Sequence, residues 1–276
     1  MHAFRQVDVF STEPLLGNPV AVVHDADDLS DERMAAFARW TNLSETTFLL
    51  RPTRSEADYR LRIFTPAGEL PFAGHPTLGS AHAWLEAGGT SRSEAVVVQE
   101  CAAGLVRLRA GHTLAFAAPD LRRTGPADGE TLARIAAGLC VPVGDIIAAE
   151  WVDNGPGWVA ALLRDADAVL QLRPDFAAMG DLKIGAVGKY PANAECAIEV
   201  RAFCPDLAVP EDPVTGSLNA GLAQWLIDAG ELPPRYLASQ GTRLGRRGRV
   251  HVQRSEGDIW IGGEATTTIV GEVSLG

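Results

Sequence analysis

Two strings of one kind constrain this 276-residue chain more than any other feature: each is a turn rich in Gly, Pro and Thr that opens a run of small residues. The first is Ala73-Gly74-His75-Pro76-Thr77, leading into Gly79-Ser80-Ala81-His82-Ala83-Trp84-Leu85. The second is Pro213-Val214-Thr215-Gly216-Ser217, leading into Leu218-Asn219-Ala220-Gly221-Leu222-Ala223-Gln224-Trp225-Leu226. Their openings, Ala73 and Pro213, stand 140 residues apart, close to half the chain. Pro76 suits the first helical residue, and Gly88-Gly89 and Ala229-Gly230 suit helix ends. A helix of Ala and Gly permits close approach on all sides, which fits a helix wrapped by strands rather than one lying on a surface. Two accounts stay open: a duplicated half, or two buried helices alike by chance.

Alternating and β-branched runs predict strands at Ala3–Phe10, Val20–Val23, Thr46–Leu50, Tyr59–Phe64, Ala95–Gln99, Gly104–Ala110 and Thr113–Ala117. Ser30 caps a helix over Asp31–Trp40, with Asp31 and Glu32 in its first turn and Met34 and Phe37 facing the core. Pro119–Gly129, rich in Pro, Gly and charge, reads as a linker. Beyond it come a helix at Glu130–Leu139 and strands at Ile146–Val152 and Trp158–Leu163. A short helix follows near Asp175–Met179, then strands at Ile184–Lys189 and Ala197–Phe203. After the second small-residue helix, strands are expected at Arg249–Arg254, Asp258–Gly262 and Thr266–Val270.

Composition narrows the function. Hydrophobic residues make up 46% and charged residues 21%, a globular balance rather than a disordered one. Lys plus Arg number 24 against 35 Asp plus Glu, a formal net charge of −11, so nucleic acid is not expected as a partner. Asp145 interrupts the longest apolar run, Ala136–Ala149, and Arg5 and Asp8 interrupt the first, so neither a membrane span nor a signal peptide is expected. Cys101, Cys140, Cys196 and Cys204 form no Cys-x-x-Cys pair, which suits reduced thiols in a cytoplasm. His2, His24, His75, His82, His112 and His251 form no metal-binding pattern, and no dinucleotide, Walker or Gly-x-Ser-x-Gly motif is present.

Acid/base chemistry beside the helix starts is what remains. First-turn N–H groups lack intrahelical partners, the helix dipole favours negative charge there, and glycine lets a ligand reach the backbone. Ordinary capping accounts for the same residues. Glu45 lies at the corner Asn42-Leu43-Ser44-Glu45, ahead of an apolar strand; it is either a desolvated proton shuttle or a solvated corner carboxylate. His75 is either a donor at the first helix start or structural. Asp212, before Pro213, has an acidic N-cap as its simplest role. Cys204 reads as a buried inert thiol. Arg243, Arg246, Arg247 and Arg249 form either a solvated rim or a handle for an anionic substrate.

A family resemblance runs along nearly the whole chain. It is carried by Val9-Phe10 with Gly17-Asn18-Pro19-Val20-Ala21-Val22-Val23, Leu43-Ser44-Glu45-Thr46, Phe64-Thr65-Pro66 and Leu70-Pro71-Phe72-Ala73-Gly74-His75-Pro76-Thr77-Leu78-Gly79. It continues in Arg201-Ala202-Phe203, Glu211-Asp212-Pro213-Val214-Thr215-Gly216-Ser217 and Gln240-Gly241. In these the sequence resembles the PhzF family of phenazine-biosynthesis-like isomerases, relatives of diaminopimelate epimerase. The resemblance implies an α+β, diaminopimelate epimerase-like fold of two pseudo-symmetric domains, each a mixed β-sheet rolled around a central α-helix, with the active site in the cleft between them. The domains would be 1–118, completed by a C-terminal strand at 265–276, and 119–264. It further implies a cofactor-independent, metal-free, homodimeric isomerase acting on a small anionic metabolite. Glu45 would be the catalytic acid/base, with Ser44, Gly74, His75, Asp212, Gly216 and Ser217 binding substrate.

The related epimerases carry a cysteine in each helix-start motif. The resemblance puts Ala73 and Pro213 at those positions, so a two-thiol mechanism is not expected. Gly245-Arg246-Arg247-Gly248 departs from a Gly-Arg-Pro-Ser-like string of many relatives, and Cys204 and Ala208-Val209-Pro210 are unusual, so the phenazine substrate itself is not assumed. A non-catalytic scaffold or binding protein and a one-carboxyl epimerase are the other readings.

Overall fold

The structure, a computed structural model, describes residues 1–93, 95–111, 113–205 and 210–276; His112, Ala208 and Val209 lie outside the described residues. The chain divides into two compact units, Met1–Ala117 with Gly262–Gly276, and Ala118–Ile261.

The first unit opens with β1 (His2–Val9), β2 (Asn18–Val23), α1 (Asp31–Thr41) and β3 (Thr46–Leu50). It continues through β4 (Tyr59–Thr65), β5 (Gly68–Leu70) and α2 (Gly74–Glu86) to β6 (Val96–Cys101), β7 (Gly104–Arg109) and β8 (Leu114–Ala117). β1 and β2 pair antiparallel, β2 and β3 parallel, and β3 and β4 antiparallel, with β5 folded back on β4. β4 then pairs parallel with β6, and β7 and β8 follow antiparallel. The C-terminal strand Ala265–Val273 joins the free side of β1. α2 touches β1, β2, β3, β4, β6, β8 and that C-terminal strand, so the mixed sheet curls around it. On the outer face, α1 buries Met34 and Phe37 against Phe48 and Phe64.

The second unit contains α3 (Gly129–Leu139), β9 (Ile146–Trp151), β10 (Trp158–Leu163), α4 (Ala166–Gln171), α5 (Phe176–Met179) and β11 (Lys183–Lys189). β12 (Ile198–Phe203), β13 (Glu211–Asp212), α6 (Gly216–Asp228), β14 (Arg235–Gln240), β15 (Gly248–Ser255) and β16 (Asp258–Gly263) follow, and the C-terminal strand is β17. Its pairings repeat the first unit step for step. β9 and β10 are antiparallel, β10 and β11 parallel, β11 and β12 antiparallel, with β13 folded on β12; β12 and β14 are parallel, and β14 and β15 antiparallel. Chance likeness between two helices does not reproduce a strand order, so the halves are a duplication.

The structure also corrects the register. Gly74 and Gly216 are each the first residue of their helix, 142 positions apart, so α2 starts two residues ahead of the expected Pro76, and Ala73 corresponds to the N-cap Thr215 and not to Pro213. The equivalent mid-helix residues Gly79 and Gly221 show why the helices are built of small residues. A Cβ on Gly79 would lie 2.4 Å from Val20 Cγ1, and one on Gly221 would lie 2.3 Å from the Val152 carbonyl oxygen. Glycine costs a helix interior about 1 kcal/mol against alanine, a loss that the close approach of strand and helix offsets. Gly221→Ala is therefore expected to destabilise the protein by about 1–3 kcal/mol in urea unfolding, because a backbone atom must move. Gly129→Ala, with nothing within 4 Å of its Cβ, is the near-neutral control.

Four elements absent from the sequence reading, β5, α4, β13 and β14, are no longer than six residues. The expected linker is a further correction. It lies along β9, with Trp151 N–H donating to Gly125 O at 2.9 Å, Ala127 N–H to Ala149 O at 2.9 Å and Asp153 N–H to Arg123 O at 3.2 Å. Pro and Gly content reported a lack of periodicity there, not a lack of backbone partners. Among the described residues, no helix is long and apolar enough to cross a membrane.

Candidate active site

Helix capping separates the two central helices from the rest. α1, α3, α4 and α5 are capped by the side chains of Ser30, Asp128, Asp165 and Asp175. α2 and α6 have no side-chain cap. Ala73 has no side-chain acceptor, and Thr215 turns its hydroxyl away to donate to Asp212 Oδ2 at 2.6 Å. The acidic N-cap expected of Asp212 is thus not formed: Asp212 sits in β13 and orients the residue that occupies the cap. First-turn N–H groups without a side-chain acceptor are what an anionic ligand can use.

In the first unit, Asn42 ends α1 in the left-handed region (φ 55°), and Thr41 Oγ1 meets Thr46 Oγ1 at 2.8 Å, which closes the corner carrying Ser44 and Glu45. Glu45 Oε2 approaches His75 Nε2 at 3.4 Å, with side-chain exposures of 15% and 6%. Oε2 is buried with no hydrogen-bond partner, so this approach is a contact between polar groups rather than a formed bond. Burial pushes the Glu45 carboxyl up to about 7, against a smaller opposing pull from its hydrogen bond with Ser44. A carboxyl with that pKa is divided between base and acid forms near neutrality. The start of α2 is anchored from below: Tyr59 donates to Gln99 Oε1 at 3.0 Å, and Gln99 Nε2 donates to Thr77 Oγ1 at 3.0 Å.

In the second unit, Ser217 takes the place that His75 holds in the first. Trp158 Nε1 donates to its Oγ at 3.0 Å, and Asn154 Nδ2 donates to its carbonyl at 2.9 Å. Gln240, fully buried, is the residue that sequence reasoning underrated, seeing it only as half of a family string. Its Oε1 accepts from Thr215 N–H at 3.0 Å and Asn219 Nδ2 at 2.8 Å, while its Nε2 donates to Asp212 O at 3.1 Å and Thr215 Oγ1 at 2.9 Å. It ties β14 to the turn that presents Asp212, Gly216 and Ser217.

The turns into both helices are braced by a duplicated fork. Arg62 grips both carboxylate oxygens of Glu69 at 2.7 Å, and Arg201 grips those of Glu211 at 2.8 Å. Each guanidinium also lies over the ring two residues on, 5.1 Å from Phe64 and 4.9 Å from Phe203. The basic cluster is not a uniform rim: Arg243 is exposed, whereas Arg249 pairs with Glu195 at 3.0 Å and donates to Ser239 Oγ at 3.2 Å. Cys204 is buried, and none of the four cysteines is in a disulfide. Among the described residues, no group of three or more His, Cys, Asp or Glu is arranged to hold a metal ion.

The structure therefore brings Ser44, Glu45, Gly74 and His75 together in the first unit, and Asp212, Gly216 and Ser217 together in the second. The fold is that of solved PhzF proteins: the crystal structure of the phenazine biosynthesis protein PhzF family member from Enterococcus faecalis matches with a TM-score of 0.82, 26% identity and 99% coverage of both chains. Among curated relatives, trans-2,3-dihydro-3-hydroxyanthranilate isomerase of Pseudomonas aeruginosa is 38% identical over 93% of this chain and 91% of its own. Antisense-enhancing sequence 1 of Schizosaccharomyces pombe is 38% identical over 98% of both. The PhzC-PhzF family profile, phenazine biosynthesis-like protein, matches residues 7–271. The chain belongs to the PhzC-PhzF family, and with it to the isomerases.

Proposed function

We propose that this isomerase needs no cofactor and moves a proton within a small anionic, unsaturated or amino-acid-like metabolite, with Glu45 as the single acid/base. The observation that supports this most directly is the Glu45 carboxyl itself: buried, with Oε2 lacking a hydrogen-bond partner, and beside His75. A proton on carbon next to a carboxylate or conjugated system is held tightly because the carbanion is high in energy. Uncapped helix starts suit the stabilisation of that charge. The C–H bond breaks as the Glu45 O–H bond forms; the O–H bond then breaks as a C–H bond forms at another carbon of the same π-system. A double bond shifts, and no electron is gained or lost.

Ser44, Gly74 and His75, with Asp212, Gly216 and Ser217, orient the substrate in this reading. Ala73 and Thr215 carry no thiol, which favours one carboxyl over a two-cysteine epimerisation. The substrate named for the Pseudomonas relative is one member of the proposed class, and Gly245-Arg246-Arg247-Gly248 is a reason to keep the class rather than the compound. The same reading takes the protein as a cytoplasmic homodimer.

The test is incubation in D2O with a panel of such metabolites, followed by NMR. Deuterium is expected at carbon. The exchange rate should rise with pH and level off above about 7, because only ionised Glu45 accepts a proton. The name of the Schizosaccharomyces pombe relative is not that of an isomerase, which keeps a second reading in play: a binding protein that retained the site. Thermal stabilisation by a metabolite without any exchange would select it.

A further inference from the structure

One buried polar side chain outside the proposed reaction set faces directly onto it. Asn18, the first residue of β2, is 1% exposed and is aimed by the turn before it. Gly17 N–H donates to Asp8 Oδ2 at 3.0 Å, and a Cβ on Gly17 would lie 2.2 Å from the Val9 carbonyl oxygen, so the chain passes here only as glycine. The Asn18 amide nitrogen then stands 3.4 Å from His75 Nδ1, while the other ring nitrogen, Nε2, faces Glu45 Oε2 at 3.4 Å. An amide NH2 only donates, so Nδ1 is the acceptor, and a neutral ring then carries its proton on Nε2.

We propose that Asn18 is a positioning residue for the Glu45–His75 pair, holding His75 as the Nε2–H tautomer with that proton turned toward Glu45. The imidazole then presents its N–H on the side of the carboxyl and of substrate beside it, and it does not compete with Glu45 for the substrate proton. The duplicated half uses the same device. Asn154, from the turn between β9 and β10, and Trp158, at the start of β10, fix Ser217, which like His75 is the second residue of its central helix. The consequence for turnover rests on the reading of Glu45 as the acid/base; the tautomer is a property of the resting protein.

Long-range 1H–15N spectra of the histidine-labelled full chain, without substrate, read the tautomer directly, and His75→Gln assigns the signal. The wild type is expected to show a protonated Nε2 and a bare Nδ1. Asn18→Asp, whose carboxylate only accepts, should move the proton to Nδ1. On a substrate that exchanges, the same variant should lose about 10–100-fold in rate with little change in affinity, by analogy with the loss when the hydrogen-bond partner of a metal-bound imidazole is removed. A wild-type ring protonated at Nδ1, or a tautomer unchanged in Asn18→Asp, overturns the proposal. The first of these outcomes needs no variant to fold. The expected tautomer with no exchange on any metabolite would support the role of Asn18 and overturn the reading of Glu45.

Discussion

Glu45→Gln is expected to lower solvent-deuterium exchange into substrate by about 10²–10⁴-fold, the usual contribution of a positioned acid/base, while ligand binding is retained. Undiminished exchange would remove Glu45 from the mechanism. The same variant should be the more stable protein above neutrality. Burial raises the folded-state pKa from 4.5 to about 7, so the folded state binds the Glu45 proton more tightly than the unfolded state does. That contribution is fully present below 4.5 and is lost as the pH rises through about 7. The interval corresponds to about 3 kcal/mol at most, and Gln does not ionise. Urea unfolding should therefore show wild type and variant alike at the acid end and the variant ahead above pH 7. Such an exchange of stability for reactivity is expected where a carboxyl is buried for use rather than for packing.

Arg201→Ala is expected to cost about 3–5 kcal/mol, the range for breaking a buried ion pair from one side. Arg201 and Glu211 are 5% and 11% exposed, and Arg201 Nη1 also donates to the carbonyls of Leu172 at 2.8 Å and Val169 at 3.3 Å. Removing the guanidinium leaves a buried carboxylate and two carbonyls without their donor. Arg62→Ala, at the equivalent position, should cost only about 1 kcal/mol, because Glu69 is 35% exposed and water can replace the arginine. Urea midpoints of the two variants measure the contrast. Equal losses would show that burial does not govern this fork.

Much of the candidate site could be read locally. Gly74, His75, Gly216 and Ser217 stand at helix starts because Gly, Pro and small residues punctuate the chain wherever they occur, and Ser44-Glu45 falls between a recognisable helix and a recognisable strand. What escaped was non-local. Gln240 serves the 212–219 turn from across a parallel pairing, and its string carries no local sign of that. Ala73 aligns with Thr215 rather than Pro213 because β4–β5 and β12–β13 set the registers, which counting residues between motifs does not reveal. The 119–129 segment lacks periodicity yet hydrogen-bonds along β9.

The sequence by itself determined where the two central helices begin to within a turn, that they are narrow enough to be enclosed, and which carboxyl precedes an apolar strand. These follow from backbone geometry and side-chain size within a few residues. Tertiary structure alone decided that Glu45 lies beside His75, that Asn18 faces the far side of that ring, and that one of two equivalent arginine forks is more deeply buried than the other. Desolvation and contact depend on which distant segments close over a group, and strand pairing supplies those segments.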